Sequence, residues 1–184
     1  MTQVNWLNPR EMKAWRSFVI ASARVRDALE LDLDGHDLSL ADYEVLALLS
    51  EAPDRSLRMT DLAEQAMVSK SRLSHRMKVM EKAGWVRREN CPVDKRGAFA
   101  VMTEKGWKAI VKAAPDHVDS VRKRFIDNLS TKDQEEIARI FDRIGVDAAR
   151  EARRAGQQRR ALDPHPARRP QGRDACLVAA DARR

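Results

Sequence analysis

The chain has 184 residues, 43% hydrophobic content and a formal net charge of +7, which suits one compact domain or a small domain with an appendage. Its longest unbroken apolar stretch, Ala175 to Ala180, is far shorter than the roughly 20 residues a bilayer-spanning helix needs, and no basic, apolar and small-residue leader pattern opens it, so a cytoplasmic protein is expected. Cys91 and Cys176 stand apart without a Cys/His cluster, and no glycine-rich phosphate loop can be read, which leaves a disulfide framework, a zinc site and a nucleotide-dependent enzyme without support and predicts no cofactor.

Asn8, Pro9 and Glu11 form a helix-start signature: a cap, a proline at the first helical position and a capping-box acid. The helix predicted from there places Met12, Trp15, Phe18, Val19, Val25 and Leu29 on one face and runs to about Leu33, where Asp34-Gly35 ends it. That length exceeds what covering a small core requires. A second helix starts at Ser39 with Asp42 in its first turn, and its Leu40, Tyr43, Val45, Leu46, Leu48 and Leu49 are dense enough for a central buried position. It stops near Ser50, and residues 51–58 read as a loop around Pro53 and Asp54.

Thr60 is the expected cap of a short helix, Asp61 to Ala66, and Met67-Val68 forms the turn into Ser69, which caps a longer one. In that helix Leu73, Met77 and Met80 fall at steps of four and three and face inward, and Gly84 ends it. The period then changes. Residues 85–88 and 99–102 read as two strands of a hairpin, with Pro92 and Gly97 in the connection. Thr103 opens a further helix with Trp107, Ile110, Val111, Val118, Val121, Phe125 and Ile126 as its apolar face and a kink expected at Pro115. Ser130 or Thr131 starts the last helix, striped by Ile137, Ile140, Phe141 and Ile144 and thinning out by about Arg154. Residues 156–184 carry too little large apolar surface to offset ordering entropy, and a basic, disordered tail is expected there.

Charge is uneven along this order. Lys and Arg less Asp and Glu comes to −4 over residues 1–57, +5 over 58–96, +2 over 97–155 and +4 over 156–184. The basic segment coincides with the two short helices and the hairpin, the electrostatic footprint of a nucleic-acid surface, although a solvated basic face would look the same by charge alone. A short helix, a turn, a polar and basic helix and a hairpin with a basic tip is the order of a winged helix-turn-helix. With its apolar residues turned inward, the helix after Ser69 leaves Lys70, Ser71, Arg72, Ser74, His75 and Arg76 on or beside an outer face that can meet phosphates and base edges. Ser69 and the free amides of the helix start can hold a phosphate. At the hairpin tip Lys95 and Arg96 can reach a minor groove, with Asp94 keeping Arg96 extended through a charge-assisted hydrogen bond. An ordinary exposed turn is the alternative for these three.

The motifs resemble the MarR (multiple antibiotic resistance regulator) family over residues 9–145. Leu40, Tyr43, Val45 and Leu46 look like its second helix, Asp61-Leu62-Ala63 like its third, and residues 71–76 through 81–88 like its recognition helix and exit. Asp94-Lys95-Arg96 followed by Thr103 and Gly106 is similar to the family's wing signature, with Met102 where leucine is usual. The resemblance implies a mainly α fold with a small β-hairpin: residues 1–38 and 104–155 as a helical dimerisation region, and residues 39–103 as the winged helix-turn-helix. It implies a homodimer on a pseudo-palindromic operator, acting as a transcriptional regulator with repression the expected mode. The long apolar stripe of the first helix agrees, since a partner subunit would bury it.

Members of the family are commonly released from DNA by a small aromatic or phenolic ligand, and Trp15, Tyr43 and Arg16 are the candidates to meet it. Core packing for the two aromatics and plain solvation for Arg16 are the competing readings. The hydroperoxide-sensing branch carries its cysteine in the first helix, where this chain has none, leaving Cys91 near the wing as the candidate for oxidative modulation. His36, His75, His117 and His165 show no metal-ligand spacing; His75 reads as a DNA contact and His117 as part of a solvated helix face. A constitutive, weakly specific DNA-coating protein is the second hypothesis. A small-molecule enzyme is a distant third, for want of a catalytic arrangement on any one element.

Overall fold

The structure is a computed structural model that describes residues 4–90 and 97–145. It divides into two units, Met1–Arg124 and Phe125–Arg184. In the first, α1 (Pro9–Leu33), α2 (Leu40–Glu51), β1 (Ser56–Arg58), α3 (Met59–Gln65), α4 (Lys70–Ala83), β2 (Val86–Asn90), β3 (Ala98–Met102) and α5 (Glu104–Arg124) follow in chain order. In the second, residues 131–145 form α6. The architecture is the expected mainly helical one with a winged helix-turn-helix at its centre.

Caps set most helix boundaries. Asn8 Oδ1 accepts from the Glu11 amide at 3.0 Å and the Asn8 amide donates to Glu11 Oε2 at 2.9 Å, closing a capping box at the start of α1. A second box, Ser39 with Asp42, starts α2. Leu33 ends α1 as expected, but the chain then makes a 3₁₀ turn over Asp34–His36 and reverses at Asp37, which takes a left-handed φ of 57°. Gly84, at φ 78°, ends α4 in the left-handed conformation that glycine adopts without steric cost.

Three expectations need correction here. The stretch 51–58 is not all loop: after a 3₁₀ turn at Pro53–Arg55, residues Ser56 to Arg58 pair antiparallel with β3 (Ser56↔Val101, Leu57↔Ala100, Arg58↔Phe99), so the hairpin belongs to a three-stranded sheet ordered β1-β3-β2. Three residues carry no readable period, and a strand partner more than forty positions away supplies the ladder that makes them a strand. Thr60 does not cap α3. The helix starts directly at Met59 from the extended Arg58, without a side-chain cap, and the Thr60 hydroxyl donates to Asp61 Oδ1. Val111 and Val118 are not on the buried face of α5 either; both are about half exposed, while Ile110 and Ala113 face the core and the helix continues through Pro115.

The core of the first unit joins Leu33 and Leu38 to Leu40, Val45, Leu46 and Leu49 of α2, Leu62 of α3, Leu73, Met77 and Met80 of α4, Ala100 and Met102 of β3, and Ile110 of α5. Leu46 and Leu49 are fully buried, each a stabilisation of about 1.5–3 kcal/mol. The α5 start is locked against the turn from α4 into β2: the Thr103 hydroxyl donates to the Gly84 carbonyl at 2.7 Å and accepts from the Gly106 amide at 3.0 Å. Gly106 passes so near the Trp85 carbonyl that a Cβ would lie 2.1 Å from its oxygen. The wing-signature threonine and glycine are therefore a cap and a close-approach site. At the other end of α5, Arg124 meets the Asp32 carboxylate of α1 through two nitrogens and Ser120 donates to the same carboxylate. These hydrogen bonds, Ser120 foremost, hold Asp32 below the usual carboxylate range.

In the second unit Ser130 and Asp133 cap α6 reciprocally, and Arg139 pairs with Glu136 one turn before it. The expected continuation of this helix to about Arg154, and the tail at 156–184, lie outside the described residues.

Candidate nucleic-acid interface

The turn between α3 and α4 is made by Ala66 to Ser69, with Met67 in a left-handed conformation (φ 52°) and almost wholly exposed. Ser69 then caps α4, its Oγ accepting from the Arg72 amide at 3.2 Å and lying 3.0 Å from Ser71 Oγ. Leu73, Met77 and Met80 point into the core. The opposite side, by the helical period alone, carries the polar residues. Ser69, Lys70, Ser71, Arg72 and His75 are all exposed, and Ser74 is half-buried. The first turn of α4 holds no acid, so its free amides, the helix dipole and the cations at 70 and 72 all favour an anion.

Arg76, grouped with these residues by sequence, is engaged inside the protein. Its Nη1 donates to Ser39 Oγ at 2.8 Å and to Asp42 Oδ1 at 3.0 Å. Asp42 is buried. A basic residue on a polar helix reads alike whether it is solvated or paired, and only the packing of α2 against α4 supplies the difference. Arg88, which sequence reasoning took only as part of the family match, donates from Nη2 to the Ser74 carbonyl at 2.8 Å and lies 3.4 Å from Glu81. It ties the wing to α4.

The wing strands run in register from Val86↔Met102 to Asn90↔Ala98. At their base Arg87 pairs with Glu89 at 2.7 Å. The tip residues Asp94, Lys95 and Arg96, and Cys91 with them, lie outside the described residues.

The candidate ligand residues fall in different surroundings. Trp15 and Arg16 are exposed on the first half of α1, the Trp15 ring 6.1 Å from that of Phe18. Tyr43 is buried on α2, its ring 4.1 Å from the imidazole of His117, and burial raises its phenol above the ordinary value. This corrects the reading of His117 as part of a solvated face: it is half-buried, its Nδ1 has no hydrogen-bond partner among the described residues, and burial lowers its pKa against the smaller opposing pull of Glu44. Nearby His36, nearly buried, holds Asp116 of α5 through Nε2 at 2.7 Å. Among the described residues, no group of three His, Cys, Asp or Glu side chains is placed to hold a metal ion, and no helix is long and apolar enough to cross a membrane.

Comparison with known proteins places this geometry. A family model described as the MarR family matches residues 36–97, from the turn before α2 to the foot of β3. The transcriptional regulator HosA of Escherichia coli O111:H- is 35% identical over 99 residues, covering 54% of this chain and 71% of that protein. The crystal structure of AbsC, a MarR family transcriptional regulator from Streptomyces coelicolor, superposes with a TM-score of 0.77 at 44% identity, covering 79% of this chain and 99% of the other. Sco3205 from the same organism, a MarR family transcriptional regulator whose crystal structure is in complex with DNA, gives a TM-score of 0.75 at 39% identity over 79% of this chain and 91% of that one.

Proposed function

The chain belongs to the MarR family, and from that membership we propose that it is a transcriptional regulator that binds double-stranded operator DNA as a homodimer. The observation that carries the reading is α4: a serine-capped helix, free of acid in its first turn, presenting Lys70, Arg72 and His75 outward while Leu73, Met77 and Met80 seat it in the core. Such a helix fits a major groove, with the Ser69 end meeting a phosphate and Arg72 reading a base edge. The similarity to a regulator solved with DNA supports it.

In this reading residues 39–103 are the DNA-binding module. Residues 1–38 and 104–155 join two subunits, and the half-exposed Trp15, Phe18 and Ile20 of α1 are the surface that a second copy covers. Two α4 helices related by a twofold axis then meet half-sites about one helical turn apart, hence a pseudo-palindromic operator. Lys95 and Arg96, oriented by Asp94, take the flanking minor grooves, and the basic segment 156–184 adds phosphate contacts. Repression is the expected mode, with the protein acting in the cytoplasm and without a cofactor. A small aromatic ligand between the dimer helices and the DNA-binding module would meet Trp15 and Arg16 more readily than Tyr43, which His117 already covers.

The test is selection of duplexes by the purified protein from a random pool, followed by affinity measurements at matched salt. A recovered pseudo-palindrome bound at least about a thousandfold more tightly than random duplex is the expected result. Equal affinity for both would leave the DNA-coating alternative, and no binding would remove the proposal. Arg72→Ala is expected to cost about 1–3 kcal/mol and to relax preference at one base position, and Arg96→Ala to weaken operator binding without lowering thermal stability.

A further inference from the structure

We infer that Arg76 is a positioning residue for DNA recognition, one that sets the rotation and advance of α4 by anchoring it to the first turn of α2. The inference rests on the proposal that α4 enters the groove. The contacts of Asp42 are divided between two tasks: Oδ2 accepts from the Ser39 amide and hydroxyl and closes the α2 capping box, while Oδ1 accepts from Arg76. Ser39 Oγ in turn accepts from the Asp42 amide and from Arg76 Nη1. A single guanidinium nitrogen on α4 is thus held by two acceptors in the capping box that starts α2.

What else holds α4 makes this contact decisive. Its three fully or almost fully buried anchors are Leu73, Met77 and Met80. Apolar contact is non-directional, and methionine is the most adaptable of core side chains. Such a seat keeps the helix down without fixing its register, whereas sliding by one residue, about 1.5 Å, or turning by a fraction of a turn would carry Arg72 and His75 off their targets. A charge-assisted hydrogen bond to a buried carboxylate has one geometry. Arg88, donating to the Ser74 carbonyl from the wing side, and Lys105 of α5, donating to the Ala83 carbonyl at the far end, are further directional contacts on the helix. With Arg76 toward α2 and Arg88 toward β2, the outward face of α4 is clamped between two fixed elements.

The experiment compares Arg76→Gln, Asp42→Asn and the double variant on the duplex that the wild-type protein selects and on a scrambled duplex, across a salt series. Removing an acid near DNA strengthens binding if electrostatics alone is at work. The positioning role predicts the reverse: Asp42→Asn weakens operator binding by roughly tenfold to a hundredfold, as loss of a charged hydrogen bond would. Arg76→Gln does likewise, the double variant is no worse than either single one, and the salt slope on the operator is unchanged. An Asp42→Asn protein that binds as well as wild type or better overturns the inference, as does a drop of about one in the salt slope of Arg76→Gln, which marks a direct phosphate contact. If Asp42→Asn melts before it can be assayed, the base-by-base profile of Arg76→Gln decides: weakening spread over the half-site supports positioning, and weakening at one base pair refutes it. Failure of the wild-type protein to select any duplex removes the DNA-binding reading itself, and this inference with it, through a result that no variant is needed to obtain.

Discussion

The two ends of the first unit use the same kind of apolar stripe to opposite ends. In α2 and α4 the stripe is enclosed at Leu46, Leu49, Met77 and Met80, which have no exposed surface at all. In the first half of α1, Trp15 is 56% exposed, Phe18 46% and Ile20 50%. From Val25 on, the stripe residues Val25, Ala28 and Leu29 are half-buried, and the helix ends in the enclosed Leu33. Helical period says which residues share a face; it does not say whether the chain itself holds anything to cover that face. The central region is finished by its own contacts, and the front of α1 is not.

The sharpest way to break the finished region is to insert one atom. Gly106→Ala would put a methyl group 2.1 Å from the Trp85 carbonyl oxygen and 3.1 Å from Met102 Cγ, and a backbone carbonyl cannot swing aside as a side-chain end can. The strand exit and the α5 start must separate, with loss of the Thr103 cap, for an expected destabilisation of at least about 3 kcal/mol. Leu46→Ala, which leaves a cavity at a fully buried site, is expected to cost about 2–5 kcal/mol. Thermal unfolding checks both. A Gly106→Ala protein melting within a degree or two of wild type would show that the helix start yields where the packing says it cannot.

The unfinished region should respond in another currency. Trp15→Ser combined with Phe18→Ser leaves the α2 to α4 core untouched, so near-native helicity is expected, while self-association weakens by about 2 kcal/mol or more, the usual cost of losing aromatic anchors at an interface. Sedimentation equilibrium reads the change, and melting temperature should come to depend more strongly on protein concentration than in the wild type. An unchanged association constant would mean that the α1 stripe is not the covered surface.

How much of this was legible beforehand follows the same division between local and distant causes. Asn8, Ser39, Ser69 and Gly84 mark helix ends through bonds made within three or four residues, and each stands where the sequence pattern places it. Leu73, Met77 and Met80 declare the inward face of α4, and with it the outward one. What escaped depends on distant partners. Arg58 is strand because Phe99 pairs with it, and Val111, one residue past the buried Ile110, is left half exposed on α5. Arg76 has a partner that the sequence pattern does not announce, because Asp42 lies 34 positions earlier in the chain and beside it in space. His117 stands on a helix face that reads as solvated by sequence alone, but its ring lies on Tyr43 of α2.

That ring supplies the smallest expected effect, a pH dependence belonging to the finished region alone. Burial holds His117 below its ordinary pKa of 6.5, so between the folded and unfolded values the unfolded chain binds the extra proton. Stability is therefore fully present above about pH 6.5 and declines as the pH falls through that window. Protonation would place an N–H at the buried Nδ1, which has no acceptor among the described residues, against the Tyr43 ring of α2; the Glu44 carboxylate opposes the shift without cancelling it, being itself paired with Arg26 of α1 at 2.9 Å. His36 and Asp116, on the 3₁₀ turn and α5, are the other charged or titratable neighbours. His117→Phe keeps an aromatic ring on Tyr43 and deletes the titration, so its melting temperature should fall less than that of the wild type between pH 7 and 5.5, with the two proteins behaving alike above pH 7. Parallel curves across that interval would assign the acid sensitivity to groups other than His117, and would show that the contact between α2 and α5 accommodates a charge at His117 without loss.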